Sequence, residues 1–160
     1  MPRAFIAIGS NLQQPRSQVE KAFEGLSELP QTQLIKRSSL YRTAPVGYDN
    51  QPDFINAVAE VSTALGPLEL MRALLELELA HGRERPFPNA PRVLDLDLLL
   101  YNDTIMDSPE LTLPHPRMHT RGFVLLPLSE IAPNMVIPQH GKVAELAQKC
   151  MDQGVEKLAD

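Results

Sequence analysis

The run Leu94-Asp95-Leu96-Asp97-Leu98-Leu99-Leu100 sets two carboxylates two positions apart in an otherwise aliphatic stretch. In extended backbone, alternate side chains share a face. Asp95 and Asp97 are therefore expected on one side, roughly 6–7 Å apart, with Leu94, Leu96, Leu98 and Leu100 on the other. Such a pair can share hard cations. Oxygen ligands on a protein that handles a nucleotide point to Mg²⁺, which keeps water ligands and binds phosphate oxygens as well. A strand with one solvated face accounts for the pair equally well, although aspartate is a poor strand former and two within a leucine run need a reason.

Glu78 is a second such residue. On a helical wheel Glu69, Arg72 and Glu76 share one side, while Glu78 falls opposite, among Met71, Leu74 and Leu75. A carboxylate on the face that meets a sheet is costly unless it is paired or hydrogen-bonded. A helix end that reaches water, or a structural pair with an arginine, explains it as readily as a ligand role.

Arg83, Arg85 and Arg92 fall in a proline-broken loop before the acidic strand, and Arg121 follows it in Met118-His119-Thr120-Arg121-Gly122-Phe123. The planar guanidinium suits phosphate because it donates two parallel hydrogen bonds without losing its charge. Arginines in a loop are commonly just solvated surface. Beside an Asp-x-Asp strand, they and a metal would grip opposite sides of one polyphosphate. The chain has no Gly-x-x-x-x-Gly-Lys-Ser/Thr, so it is no P-loop enzyme.

His115 and His119 have the spacing of two ligands on a helix, but Pro114 and Pro116 oppose a helix there. A histidine that bonds phosphate or caps a turn fits better than a zinc site. Phe54 and Phe123 read as core residues or as ring-stacking partners. Asn56, two positions from Phe54, adds an amide that can read the rim of a flat heterocycle.

The elements that must position these residues follow from periodicity and breakers. Arg3 to Gly9 reads as a strand that enters a turn at Gly9-Ser10-Asn11. Pro15 opens a helix with Val19, Ala22, Phe23, Leu26 and Leu29 at helical spacing, and Pro30 stops it. Leu34 to Thr43 reads as one long strand, then an irregular loop to Pro52, then a strand over Phe54 to Thr63. Pro67 opens a helix to about His81, and Val93 to Tyr101 is the most apolar strand. Further helices are expected near Phe123 to Ile131 and Val143 to Met151. This order predicts an α+β fold: a ferredoxin-like βαββαβ core, an antiparallel sheet with two helices on one face and C-terminal additions.

The 160 residues suit one domain over 1–160, and 43% hydrophobic with 22% charged is globular composition. No apolar run approaches the roughly 18 residues of a membrane span, and the first residues read as a strand rather than a signal peptide. The single cysteine, Cys150, excludes an intrachain disulfide and fits a reducing cytoplasm. A net charge of -5 argues against nucleic-acid partners, so phosphate would have to be met by a local arginine cluster.

Asn89-Ala90-Pro91-Arg92-Val93-Leu94-Asp95-Leu96-Asp97-Leu98-Leu99 resembles the signature of the 6-hydroxymethyl-7,8-dihydropterin pyrophosphokinase family of folate biosynthesis. The likeness extends over nearly the whole chain. It includes Gly9-Ser10-Asn11, Ser39-Leu40-Tyr41-Arg42-Thr43-Ala44-Pro45-Val46-Gly47, Gln51-Pro52-Asp53-Phe54-Ile55-Asn56, Glu78 to Arg83, Leu113-Pro114-His115-Pro116 and Arg121-Gly122-Phe123. The resemblance implies transfer of pyrophosphate from ATP to the pterin hydroxymethyl group. It implies that Asp95 and Asp97 bind two Mg²⁺ ions and that Arg83 and Arg92 are catalytic arginines. Glu78, Arg83, Arg85, Arg92, Leu98, Thr112, His115 and Arg121 would line the ATP site. Thr43, Val46, Phe54, Asn56, Asp95 and Phe123 would hold the pterin. The chain departs from many relatives at Pro88 and Asn89, and from some at Glu110. A monomer is expected, with no membrane or nucleic-acid partner.

Two competing classes remain. One is another Mg²⁺-dependent phosphotransferase or nucleotidyltransferase on the same sheet. The other is an RNA-binding ferredoxin-like module, which would need an aromatic platform and a basic surface.

Overall fold

A computed structural model describes residues 1–11, 14–44, 53–80 and 94–158. Its first half contains β1 (Arg3–Ser10), α1 (Pro15–Ser27), β2 (Thr32–Arg37), β3 (Tyr41–Thr43), β4 (Phe54–Thr63), α2 (Pro67–Ala80) and β5 (Asp95–Tyr101). The remainder contains β6 (Met106–Asp107), β7 (Thr112–Leu113), α3 (Gly122–Ile131), β8 (Val136–Ile137), β9 (Gly141–Lys142), α4 (Val143–Gln148) and β10 (Glu156–Lys157).

β1 is apolar on both faces, which suits an interior strand. Ala4, Ile6 and Ile8 enter one core cluster, and Phe5 enters the other. It lies between β4 and β5, antiparallel to both, in the order β10-β3-β4-β1-β5, with β2 also on β4. Gly9 and Ser10, predicted as a turn, are the last two residues of β1, opposite Asn56 and Ile55.

The strand predicted over Leu34 to Thr43 is broken. Ser38 is the cause: its N–H donates to the Val58 carbonyl at 2.9 Å, while its hydroxyl accepts from the Val58 N–H at 2.9 Å. A side-chain oxygen thus takes the place of a ladder carbonyl, and the strand is interrupted. Both pieces stay on β4, with β2 running along Thr63 to Ala59 and β3 along Asn56 to Phe54.

The helical stripes seen in the sequence face the sheet. Val19, Ala22, Phe23 and Leu26 of α1, with Leu70 and Leu74 of α2, pack on the Ala4–Ile6–Ile8 face. Each of the valine, phenylalanine and leucine side chains contributes roughly 1.5–3 kcal/mol when fully buried. The C-terminal additions form a second layer: α3 and α4 cover the face that carries Phe5, Val58 and Leu99.

β5 also departs from simple alternation. Ile6 lies opposite Leu98 but Phe5 lies opposite Leu100, which leaves Leu99 as an extra residue. Leu94, Leu96 and Leu98 stay on the α1–α2 side as expected, whereas Leu100 joins Leu99 on the α3–α4 side. Among the described residues no helix is long and apolar enough to cross a membrane.

Candidate active site

Strand register assembles the central row of the site. Asn56 of β4 lies opposite Gly9 of β1, and Gly9 lies opposite Asp95 of β5. Directly opposed residues project to the same face, so Asn56 and Asp95 flank Gly9 about 10 Å apart, two strand spacings. The row continues outward to Tyr41, opposite Asn56. One step along the strands, Thr43 pairs with Phe54 and Asp97 with Ala7, again on this face. Glycine matters here because a Cβ at position 9 would stand 3.1 Å from Asn56 Oδ1 and 3.9 Å from Phe54 Cδ1. Its absence leaves room over the sheet beside the amide. Asn56 is buried, and its Nδ2 has no hydrogen-bond partner among the described residues. A buried amide donor left open marks a place for a ligand acceptor.

The opposite end of the site is a cleft of about 370 Å³ that wraps the outer edge of β5. Leu74 of α2, Leu96, Leu98 and Leu111 supply apolar walls, and Asp97, Thr112 and His115 supply polar groups. An apolar-walled cleft with a few polar side chains suits a nucleotide.

His115 enters this cleft with a defined tautomer. Its Nδ1 accepts a hydrogen bond from the Arg117 N–H at 3.2 Å, so the ring proton sits on Nε2. Burial pushes its pKa below the ordinary histidine value, and Arg121 and Arg117 push the same way against Asp95. A neutral ring presents one donor and one acceptor, and the acceptor is already used. His115 therefore offers an N–H. Its own backbone N–H donates to the Leu99 carbonyl at 2.9 Å and secures the segment to β5.

Arg121 and Phe123 stand at the start of α3, with the Arg121 guanidinium 5.4 Å from the centre of the half-buried Phe123 ring. Glu78 is 2% exposed, and its Oε2 accepts from the Leu96 N–H at 2.6 Å. Its burial on the sheet-facing side of α2 matches the helical wheel, and the Leu96 backbone is a partner among the described residues.

Asp95 and Asp97 are half-buried on one face of β5. Among the described residues no three His, Cys, Asp or Glu side chains converge as a closed metal cage. Two half-buried carboxylates on one strand face are an oxygen donor set that fits Mg²⁺. His119 stays apart from His115: its ring stacks on His140 at 3.6 Å. Arg83, Arg85, Arg92 and Val46 lie outside the described residues.

The chain matches the model of the 7,8-dihydro-6-hydroxymethylpterin-pyrophosphokinase (HPPK) family over residues 5–133. It belongs to the HPPK family. The match includes Gly9, Asn56, Asp95, Asp97 and His115 and ends before β8. The chain is 42% identical to the 2-amino-4-hydroxy-6-hydroxymethyldihydropteridine pyrophosphokinase of Pseudomonas aeruginosa, over 98% of its own length and 96% of that protein. It is 42% identical to the Haemophilus influenzae protein of the same name, over 99% of both. A Plasmodium falciparum HPPK-DHPS structure with pterin and p-hydroxybenzoate superposes on 92% of the chain with a TM-score of 0.73 at 16% identity. That likeness concerns the fold, and the chain spans less than half of the Plasmodium polypeptide, 43%.

Within this HPPK chain, sequence patterns alone singled out Asp95, Asp97, Glu78 and Asn56, but not the contributions of Gly9 and Tyr41. A glycine at the end of an apolar strand is the available signal for close approach of a ligand. Tyr41 had none, because its place beside Asn56 depends on register.

Proposed function

We infer that this chain transfers the pyrophosphoryl group of ATP to the hydroxymethyl group of 6-hydroxymethyl-7,8-dihydropterin, releasing AMP, in folate biosynthesis. The observation that carries this reading is the Asn56–Gly9–Asp95 row, which joins a heterocycle-reading amide to a metal-binding acid across an open glycine. The pterin lies over Gly9, with its rim at Asn56 and Thr43 and its faces between Phe54 and Phe123. That pose directs the hydroxymethyl group toward Asp95.

The adenosine occupies the leucine-walled cleft with Leu98 and Thr112, and the triphosphate extends along the edge of β5 toward Asp97 and His115. His115 donates its Nε2–H to a phosphate oxygen. Arg121, with Arg83, Arg85 and Arg92, supplies positive charge along the tail. Asp95 and Asp97 would hold two Mg²⁺ ions, which would supply charge neutralisation and a template for the triphosphate.

The alcohol oxygen attacks the β-phosphorus and AMP leaves. The protein's contribution is in-line positioning and stabilisation of charge on the transferred group, with Arg83 and Arg92 acting on that charge. The test is direct: incubate the purified protein with Mg·ATP and 6-hydroxymethyl-7,8-dihydropterin and identify the products by mass. AMP with a pyrophosphorylated pterin is expected. Release of ADP or inorganic pyrophosphate instead would replace this reaction with phosphoryl or nucleotidyl transfer.

A further inference from the structure

α3 carries Arg121 and Phe123 at its start and Glu130 in its last turn. Glu130 reaches the broken edge of the sheet. Its Oε1 accepts from the Tyr41 hydroxyl at 2.7 Å and from the Ser39 N–H at 3.1 Å. Its Oε2 accepts from the same N–H at 3.0 Å and from the Ser39 hydroxyl at 3.0 Å. An acid in the last turn of a helix works against the helix dipole, so helix stability does not explain its presence. Lys157, opposite Tyr41 on β10, adds favourable charge to the carboxylate.

We propose that Glu130 is a positioning residue for the heterocycle pocket, acting through Tyr41 and through α3. This rests on the HPPK reading and goes beyond it. Tyr41 is directly opposite Asn56, where paired Cβ atoms lie about 4.5–5.5 Å apart, so its ring is the lateral wall of the amide. Asn56 Nδ2 has no partner among the described residues, so neighbouring packing has to hold the amide toward its ligand. Glu130 fixes the Tyr41 ring by its hydroxyl and fixes the Ser39 backbone where the strand is interrupted. The same bonds tie down the far end of α3, the helix that carries Phe123, the proposed stacking partner of the heterocycle. One carboxylate thereby holds the amide floor and one ring wall of the pocket.

Steady-state kinetics of Tyr41→Phe, Glu130→Ala and Glu130→Gln, with Mg·ATP and the pterin varied separately, test this. Tyr41→Phe and Glu130→Ala should raise the pterin KM about tenfold, the scale of a lost hydrogen bond to a charged group, and leave kcat and the ATP KM within about twofold. Glu130→Gln keeps one acceptor oxygen and should recover part of the loss. Arg42→Gln removes an exposed ion pair with Glu156 on the same strand and should leave the pterin KM unchanged. A pterin KM at the wild-type value in Tyr41→Phe, or equal rises in both KM values, overturns the proposal. If Glu130→Ala does not fold, Tyr41→Phe, which loses only a hydroxyl, decides alone. Wild-type protein that forms no AMP removes the underlying reaction, and the proposal with it. An active wild type with an unshifted Tyr41→Phe removes the positioning role alone.

Discussion

The Glu78 carboxylate accepts a 2.6 Å hydrogen bond from the backbone N–H of Leu96, the residue between Asp95 and Asp97. Among the described residues β5 is the last strand on its side of the sheet, and this N–H is directed to the α2 carboxylate rather than to a further strand. An unpaired edge strand is free to twist or slip. A buried acid from α2 holds the backbone at the point from which both acidic side chains depart.

Glu78→Ala leaves the Leu96 N–H buried without an acceptor, which should cost roughly 1–3 kcal/mol. Glu78→Gln keeps an acceptor of the same reach and should retain more of the stability. Urea unfolding of the two variants measures the difference. Equal stability of Glu78→Ala and wild type would show that the bond does not hold the strand. The catalytic consequence is a drop in kcat in the alanine variant, with Mg²⁺ dependence shifted to higher concentration.

Asp95→Ala and Asp97→Ala remove the proposed Mg²⁺ ligands and no core volume, because both side chains are only half-buried. Each should lower kcat at least about 10²-fold, the scale of losing one electrostatic group at a developing charge, with the thermal midpoint little changed. Near-normal Mg²⁺-dependent AMP formation by either variant would exclude its metal role.

The chemistry-bearing residues were readable where a one-dimensional pattern carries the information. Alternation placed Asp95 and Asp97 together, and a helical wheel placed Glu78 against the sheet. Ser38 was not readable, because its hydroxyl interrupts the strand only once Val58 lies beside it. The face reversal at Leu100 was hidden for the same reason, since a bulge belongs to a pair of strands rather than to one. The Asn56–Gly9–Asp95 row required both the order of the strands and their register, neither of which a single strand specifies.

That row makes Gly9 a sensitive position. A Cβ there would stand 3.1 Å from Asn56 Oδ1, closer than ordinary contact, and would occupy the space assigned to the pterin. Gly9→Ala should raise the pterin KM by about fivefold to tenfold, equivalent to the roughly 1 kcal/mol or more of a tight overpacked contact. The ATP KM should stay near wild type, because the leucine-walled cleft is on the other side of β5. Comparable changes in both constants would place the pterin elsewhere.

Glu130 gives the fold a defined acid response. Burial raises the pKa of its carboxyl, but the hydrogen bonds from Tyr41 and Ser39 and the charge of Lys157 outweigh that and hold it below the ordinary value. Folding therefore favours the ionised form. The stabilisation is complete above the unfolded carboxylate pKa, about 4.3, and is lost as pH falls through the lower folded value. Glu130→Gln cannot titrate at this position. The gap in thermal midpoint between wild type and Glu130→Gln should be widest at neutral pH and should narrow as the pH drops below about 4. Calorimetry across that range reads it directly. A gap of constant size down to about pH 3 would mean that Glu130 holds Tyr41 and Ser39 by shape and neutral hydrogen bonding, with no contribution from its charge.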